Sequence, residues 1–311
     1  MDVLTDVLAA TKIGGAVTAC LRAAAPWGVH MGPEPTAAFH VITQGTCWLR
    51  LPDAQPRQLT AGDVVLLPTG GAHALSSDPT GPLTPYQDVL AGAPTDVATR
   101  IELPGDGPTT QLLCGAYRYD AHAAHPLLTL LPPVVHLPAG PAVSRQPLTD
   151  TLRLLAAELT TPHPGTQTIV DRLVDALFVH ILRAWLAGHA DAGASWLTAL
   201  HDPQVGKVIA LIHEKPGTAW TVQSLAHAVG TSRATLARRF TAIVGEPPLA
   251  YLTRWRMELA ARRLRDTAEP LSVIATHVGY TSEFAFSRAF TRARGVPPAR
   301  YRTAERVGSE R

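Results

Sequence analysis

An internal repeat in the last hundred residues constrains this chain more than any other feature. Ser224-Leu225-Ala226-His227-Ala228-Val229-Gly230 is echoed by Val273-Ile274-Ala275-Thr276-His277-Val278-Gly279, with Leu225 and Ile274 49 positions apart. Leu236-Ala237-Arg238-Arg239-Phe240 is echoed by Phe286-Ser287-Arg288-Ala289-Phe290, 50 positions on. That offset persists through Gly245 and Gly295, Pro248 and Pro298, and Tyr251 and Tyr301. The one-residue difference falls in a turn, where an insertion costs least. Such self-similarity predicts two copies of one supersecondary unit.

Each copy reads as helix, turn, helix. In the first, Val222, Leu225, Ala226 and Val229 mark a short buried face. Gly230 supplies the positive φ that ends a helix, and Thr231-Ser232 offers an N-cap for the next, through Val244. On that helix Leu236 and Phe240, four apart, face inward, while Arg233, Ala234, Ala237 and Arg238 share the opposite face. The second copy has Ile274, Ala275 and Val278, then Gly279, a cap at Thr281 or Ser282, and Phe286 and Phe290 inward. Glu283, Phe284, Ser287 and Arg288 face outward. Between the copies, Leu249 to Arg265 is a strong helix former, with Leu252, Trp255 and Leu259 at helical spacing. Its 17 residues would span roughly 25 Å, enough to hold two exposed helices about one DNA turn, some 34 Å, apart. A helix presented this way fits a major groove, where its exposed residues reach base edges.

Charge points the same way. The net charge of +2 hides an asymmetry. From Thr218 to Arg311 there are 15 Arg against 7 Asp or Glu, a balance of +8; from Met1 to Gly217 the balance is −6. A basic third on an acidic body suggests a polyanion partner for that third, such as double-stranded DNA; the other reading of the charge is a solvated face. Lys12, Lys207 and Lys215 are the only lysines, so the positive charge is nearly all guanidinium, suited to bidentate and phosphate contacts. Arg254, Arg256, Arg262, Arg263, Arg292, Arg294 and Arg302 are expected at phosphates or on open surface.

About residues 203–305 resemble the DNA-binding domain of the AraC/XylS-type transcription regulators, two helix-turn-helix units joined by one long helix. The likeness rests on Ser224-Leu225-Ala226, Leu236-Ala237-Arg238-Arg239-Phe240, Val278-Gly279-Tyr280, Ser282-Glu283-Phe284, Phe286-Ser287-Arg288-Ala289-Phe290 and Gly295-Val296-Pro297-Pro298-Ala299-Arg300-Tyr301. It implies base-facing positions at Ala234, Ala237 and Arg238, then Glu283, Phe284, Ser287 and Arg288, with Arg233 beside the first set. Ala234 and Ala237 depart from the larger polar readers common in that family. The resemblance further implies a sequence-specific regulator, activation as the commoner mode, and RNA polymerase as a partner.

The first 140 residues read differently. Val41-Ile42, Cys47-Trp48-Leu49-Arg50-Leu51 and Asp63-Val64-Val65-Leu66-Leu67 are short strands between Gly and Pro turns, which predicts a small antiparallel sandwich or barrel. Residues 78–110, rich in Pro and Gly, read as a loop-rich insertion. Gly62-x5-Pro68-x-Gly70-x2-His73 resembles the second motif of cupin barrels, while the paired histidines and glutamate of the first motif are absent, leaving His40. His40 and His73 are therefore candidate metal or ligand residues, with Cys47 or Cys114 nearby. A divalent metal needs three or four donors; the other reading is two hydrogen-bonded barrel histidines. Taken whole, the chain is similar to a cupin subgroup of AraC-type regulators through Phe39-His40-Val41, Gly62 to Pro68, Leu113-Cys114-Gly115 and Pro126-Leu127-Leu128-x2-Leu131-Pro132. Some members of that subgroup sense reactive chlorine or other oxidants through two cysteines at positions corresponding to Cys20 and Cys114. The resemblance thus implies a redox pair there, and a small-molecule or oxidant effector.

The expected organisation is α+β: a cupin-like antiparallel barrel at 1–140, a helical connector at 141–200, and an all-α double helix-turn-helix domain at 203–305. In the connector Leu173, Leu177, Ile181 and Trp185 form an apolar stripe, which predicts a homodimer or packing on the chain's own barrel. Ala190 to Ser195 reads as a linker. Three cysteines cannot staple a fold, no apolar run approaches a membrane span, and the acidic start Met1 to Asp6 is unlike a secretory signal. A cytoplasmic protein that is not an enzyme is expected, with no membrane partner. The alternatives are a cupin-type metal-binding enzyme or small-molecule-binding protein with an incidental helical tail, and a non-specific nucleic-acid binder.

Overall fold

The computed structural model describes residues 14–34, 36–91, 99–118, 131–140, 146–161, 163–188, 199 and 202–308. The motif residues Pro126 to Leu128 and the expected linker 190–195 lie outside the described residues. The chain divides into two compact units, one built on Ile13–Tyr119 with Leu131–Ala190, the other on Asp191–Arg311.

The first unit carries two sheets. The strands are β1 (Gly14–Ala24), β2 (Gly28–Met31), β3 (Thr36–Gln44), β4 (Thr46–Arg50), β5 (Arg57–Thr60), β6 (Val64–Leu67), β7 (His73–Ser76), β8 (Thr84–Pro85), β9 (Thr99–Leu103), β10 (Thr109–Arg118) and β11 (Val135–Leu137). One sheet has the order β11-β6-β3-β10-β1-β9, the other β5-β4-β7-β2-β8. Leu21, Val29, Leu49, Leu67, Leu75, Ile101 and Leu112 form a common buried core. At the Gly62-Asp63 turn, the buried Asp63 accepts from the amides of Thr60 at 2.9 Å and Ala139 at 2.6 Å. That carboxylate ties the start of β6 to the segment after β11.

Two expectations are corrected here. The sheets are mixed, because β1 pairs with β9 and β2 with β8 in parallel. And residues 78–110 hold β8, a short helix α1 (Tyr86–Leu90) and β9. The alternation Thr99-Arg100-Ile101-Glu102-Leu103 sends Ile101 into the core, a period-2 signal hidden among prolines and glycines.

The helices α2 (Gln146–Thr160) and α3 (Thr166–Gly188) belong to this same unit, where a separate connector was expected. At Gly15 on β1 a Cβ would lie 2.3 Å from Val174 Cγ1, so the missing side chain lets α3 approach the sheet. The Gly15 amide donates to Asp175 Oδ1 at 3.1 Å, Tyr117 OH donates to the Val174 carbonyl at 3.1 Å, and the Tyr117 and Phe178 rings lie 4.7 Å apart. Leu177, Ile181 and Trp185 of the apolar stripe are buried within the single chain, and Leu173 is half-buried. Each buried aliphatic or aromatic side chain is worth about 2 kcal/mol, so that stripe is already spent on docking inside one chain.

The second unit is helical: α4 (Val205–Glu214), α5 (Val222–Ala228), α6 (Arg233–Val244), α7 (Pro248–Asp266), α8 (Leu271–His277), α9 (Glu283–Arg294) and α10 (Pro298–Gly308). The long α7 starts with Pro248 at its first turn, where no amide partner is lost. It packs against α6, α8, α9 and α10. Phe240, Tyr251 and Trp255 fill one end; Phe286, Phe290 and Tyr301 fill the other. Among the described residues no helix is long and apolar enough to cross a membrane.

Candidate nucleic-acid interface and N-terminal cavity

The two repeats build matching surfaces. In the first, Thr221 and Ser224 form a capping box that starts α5, Gly230 turns at φ 67°, and the Ser232 side chain accepts from the Thr235 amide to start α6. In the second, Gly279 turns at φ 82° and the Ser282 side chain accepts from the Ala285 amide to start α9. Both second helices end on left-handed glycines, Gly245 and Gly295. Leu236 and Phe240, and Phe286 and Phe290, are buried, which orients each helix. Arg233, Ala234 and Arg238 are exposed and Ala237 is half-buried; Glu283, Phe284 and Arg288 are exposed and Ser287 is half-buried. All eight nominated residues thus lie off the buried stripes. Phe284 is 72% exposed, and the Arg288 guanidinium carbon stands 5.8 Å from its ring centroid.

Most of the other arginines do not form an open basic surface. Arg294 is buried and ion-paired to the buried Glu258 at 2.6 Å. Burial pushes the Glu258 carboxyl up, against the opposing pull of Arg294. Arg263 chelates Glu269, Arg254 pairs with Glu246, and Arg262 with Asp266. Arg256 donates to the carbonyls of Pro216 at 2.7 Å and Thr218 at 2.9 Å, and Arg302 to that of Glu269 at 2.6 Å. These side chains brace helices and loops; for Arg256, Arg294 and Arg302 the partners lie more than 30 positions away and left no local signal. Arg239, next to Arg238, likewise binds Asp202 through two nitrogens, at 2.9 and 2.6 Å.

In the first unit, His40, His73 and Cys114 come together on the wall of a cavity of about 320 Å³. His73 Nδ1 donates to the Gly71 carbonyl at 2.9 Å, which leaves His73 Nε2 as an acceptor. His40 Nε2 lies 2.8 Å from it and donates; His40 Nδ1 then accepts from the Cys114 thiol at 3.1 Å. The result is a directed, neutral chain from thiol to carbonyl. Burial holds both imidazoles below the usual histidine range and pushes the Cys114 thiol up, so neutrality fits the surroundings. Leu21, Val29, Leu75 and Ile101 line one part of the rest, and His30, Glu34, Tyr86 and Gln87 add polar groups to it.

This arrangement does not fit a divalent metal. Every ring nitrogen of the pair is committed to a hydrogen bond, and no cluster of three or more His, Cys, Asp or Glu suited to a metal exists among the described residues.

The cysteines diverge from the expected pair. Cys114 is opposite Ala19 on β1, and Cys20 is opposite Leu113. Successive side chains on a strand point to opposite faces, so Cys114 lines the cavity while Cys20 faces a groove floored by Leu113 and covered by Leu152 and Leu159 of α2. A direct bond between them is incompatible with this register, since it needs Cβ atoms about 4 Å apart and facing each other. Burial raises the Cys20 thiol against the pull of Arg100, and Cys47 is pushed up to about 12.

A family model described as Cupin matches residues 2–187, through both α2 and α3, and one described as Helix-turn-helix domain matches residues 225–304. A Streptomyces antibioticus protein carrying an AraC-like transcription regulator name is 38% identical over 97% of this chain and 98% of its own length. This chain belongs to the AraC-type transcription regulators with an N-terminal cupin domain. The RCS-specific HTH-type transcriptional activator RclR of Escherichia coli K12 is 31% identical over 99% of this chain and 98% of its own. The HTH-type transcriptional regulator AlkR of Acinetobacter baylyi is 32% identical over 97% and 99%. The solved DNA-binding domain of AdpA, in complex with a target DNA, aligns with 34% of this chain and 94% of that domain at 32% identity, TM-score 0.33. Fold class and family expectations from the sequence are met: a cupin-like β unit carries an AraC-type DNA-binding domain.

Proposed function

We propose that this regulator binds one operator by placing α6 and α9 in successive major grooves, with Arg233, Ala234, Ala237 and Arg238, then Glu283, Phe284, Ser287 and Arg288, facing the bases. The observation that carries the reading is the equivalence of Arg238 and Arg288. Each sits one turn into a helix capped by Ser232 or Ser282, each is exposed, and both helices pack on the single rod α7. Phosphates are then left to the helix N-termini and to arginines such as Arg292 and Arg300, exposed on the same unit.

The cavity around His40, His73 and Cys114 is the receptor in this reading. Its hydrogen-bonded His40–His73–Cys114 chain, set among apolar residues with His30 and Glu34 also on the wall, favours a small effector that carries polar groups on an apolar body. The protein acts in the cytoplasm by binding rather than catalysis and activates through RNA polymerase. Selection of sites from random duplex DNA with the purified chain tests the central point. A composite motif with two elements about one turn apart is expected; binding without sequence preference, falling steeply with salt, would overturn it.

A further inference from the structure

We infer that Phe284 and Arg288 act as one reading unit for a thymine beside a guanine in the half-site contacted by α9. The inference rests on the proposed placement of α9 in a major groove and names what that helix selects there.

The two residues are one helical turn apart on a face that the burial of Phe286 and Phe290 turns away from the core. Among the described residues, Phe284 is the most exposed of the large apolar side chains, at 72%. A single exposed apolar side chain is ordinary, but this one occupies the first turn of α9, where a recognition helix meets base edges. Its ring cannot hydrogen-bond an edge. The apolar group that a major groove offers is the 5-methyl of thymine. Arg288 lies over the ring, with 5.8 Å between guanidinium carbon and centroid. That cation–π contact restrains a long side chain in one direction. A guanidinium held there is prepared for the O6 and N7 acceptors of guanine, which bind it bidentately. Stacked base pairs place a thymine methyl and a neighbouring guanine edge side by side, matching an apolar group and a fork on one helix face. The other repeat has Ala234 where this one has Phe284, also exposed and apolar but unable to reach as far or to hold Arg238.

The test selects sites from random duplexes with the full chain and with Phe284→Ala and Arg288→Ala, then measures affinity for the wild-type motif with thymine or deoxyuridine at the implicated position. In the wild type, removing one methyl should weaken binding about fourfold, from roughly 0.8 kcal/mol per buried methylene-sized group. Phe284→Ala should lose the thymine preference and become indifferent to deoxyuridine, with unchanged thermal unfolding. Arg288→Ala should lose the adjacent guanine. A Phe284→Ala protein that selects the wild-type motif and still distinguishes thymine from deoxyuridine overturns the inference while leaving the DNA-binding reading intact, and assigns the exposed ring to a protein partner. A wild-type protein that selects no motif overturns both.

Discussion

The two helix-turn-helix units have the same outline and different interiors. The first is closed by uncharged chemistry: His213 stacks on Trp255 with ring centroids 3.9 Å apart, and its Nε2 is 2.8 Å from the Tyr251 hydroxyl. The second is closed by a buried ion pair, Glu258 with Arg294. Their turns differ too. A Cβ on Gly230 would meet nothing within 4 Å, whereas one on Gly279 would lie 2.6 Å from the Arg256 guanidinium and 2.7 Å from the Gly217 carbonyl. The lesson is that a repeat preserves the backbone path and the position of the reading helix, while each copy solves its own packing against whatever precedes it. For the first that is α4; for the second it is α7 and the loop before α5.

The largest expected contrast comes from the buried charges. Arg294→Met strands the Glu258 carboxylate and should destabilise the helical unit by about 3–5 kcal/mol, most of it recovered when Glu258→Leu is added. His213→Phe in the first copy removes a hydrogen bond but no charge, and should cost about 1–2 kcal/mol. Urea unfolding followed by region-resolved hydrogen exchange measures both, and equal losses would erase the distinction.

Next come the turn glycines. Gly230→Ala should cost only the left-handed backbone penalty, about 1–2 kcal/mol. Gly279→Ala adds a collision worth about another 1–3 kcal/mol. The same unfolding experiment checks the order, and a milder Gly279→Ala would mean that both Arg256 and the Gly217 backbone give way.

Acid should separate the copies as well. Burial lowers the His213 pKa from 6.5 to about 3. Below pH 6.5 the unfolded chain takes up a proton that the folded state refuses, so stability falls as pH drops from 6.5 toward 3. The loss approaches about 1.4 kcal/mol per unit, or about 2 kcal/mol by pH 5. Hydrogen exchange of α6 at pH 7 and pH 5 reads it, and His213→Phe should flatten that part of the slope.

The smallest contrast is in binding. Arg288→Ala should weaken specific DNA binding by about 1–3 kcal/mol. Arg238→Ala should cost about 0.5–1 kcal/mol less, because no aromatic ring holds that guanidinium. Competition titrations on specific and random duplexes measure this, and equal losses on both duplexes would reassign the residue to phosphate contact.

Much of this was readable along the chain. The repeat, its glycine turns, the Ser232 and Ser282 caps, the rod and the buried phenylalanines all depend on neighbours within a turn or two. The interior of the cupin unit was not. His40 and Cys114 are 74 positions apart and meet because β3 and β10 pair in one register. The same pairing rules put Cys20 and Cys114 on opposite faces of the sheet. The arginines taken for open surface needed Glu246, Glu258 and Glu269 placed across turns before their role appeared.

The sequence by itself determined that there are two exposed second helices, roughly where each begins, and which side chains each offers outward. Helical periodicity, caps and turn glycines act locally, and local patterns repeat visibly. Only the tertiary structure decided which charges are spent inside the protein, that α2 and α3 belong to the cupin unit, and that His40 and His73 meet Nε2 to Nε2. Those outcomes turn on distances of about 3 Å between residues far apart in the chain, and strand register and helix docking set such distances.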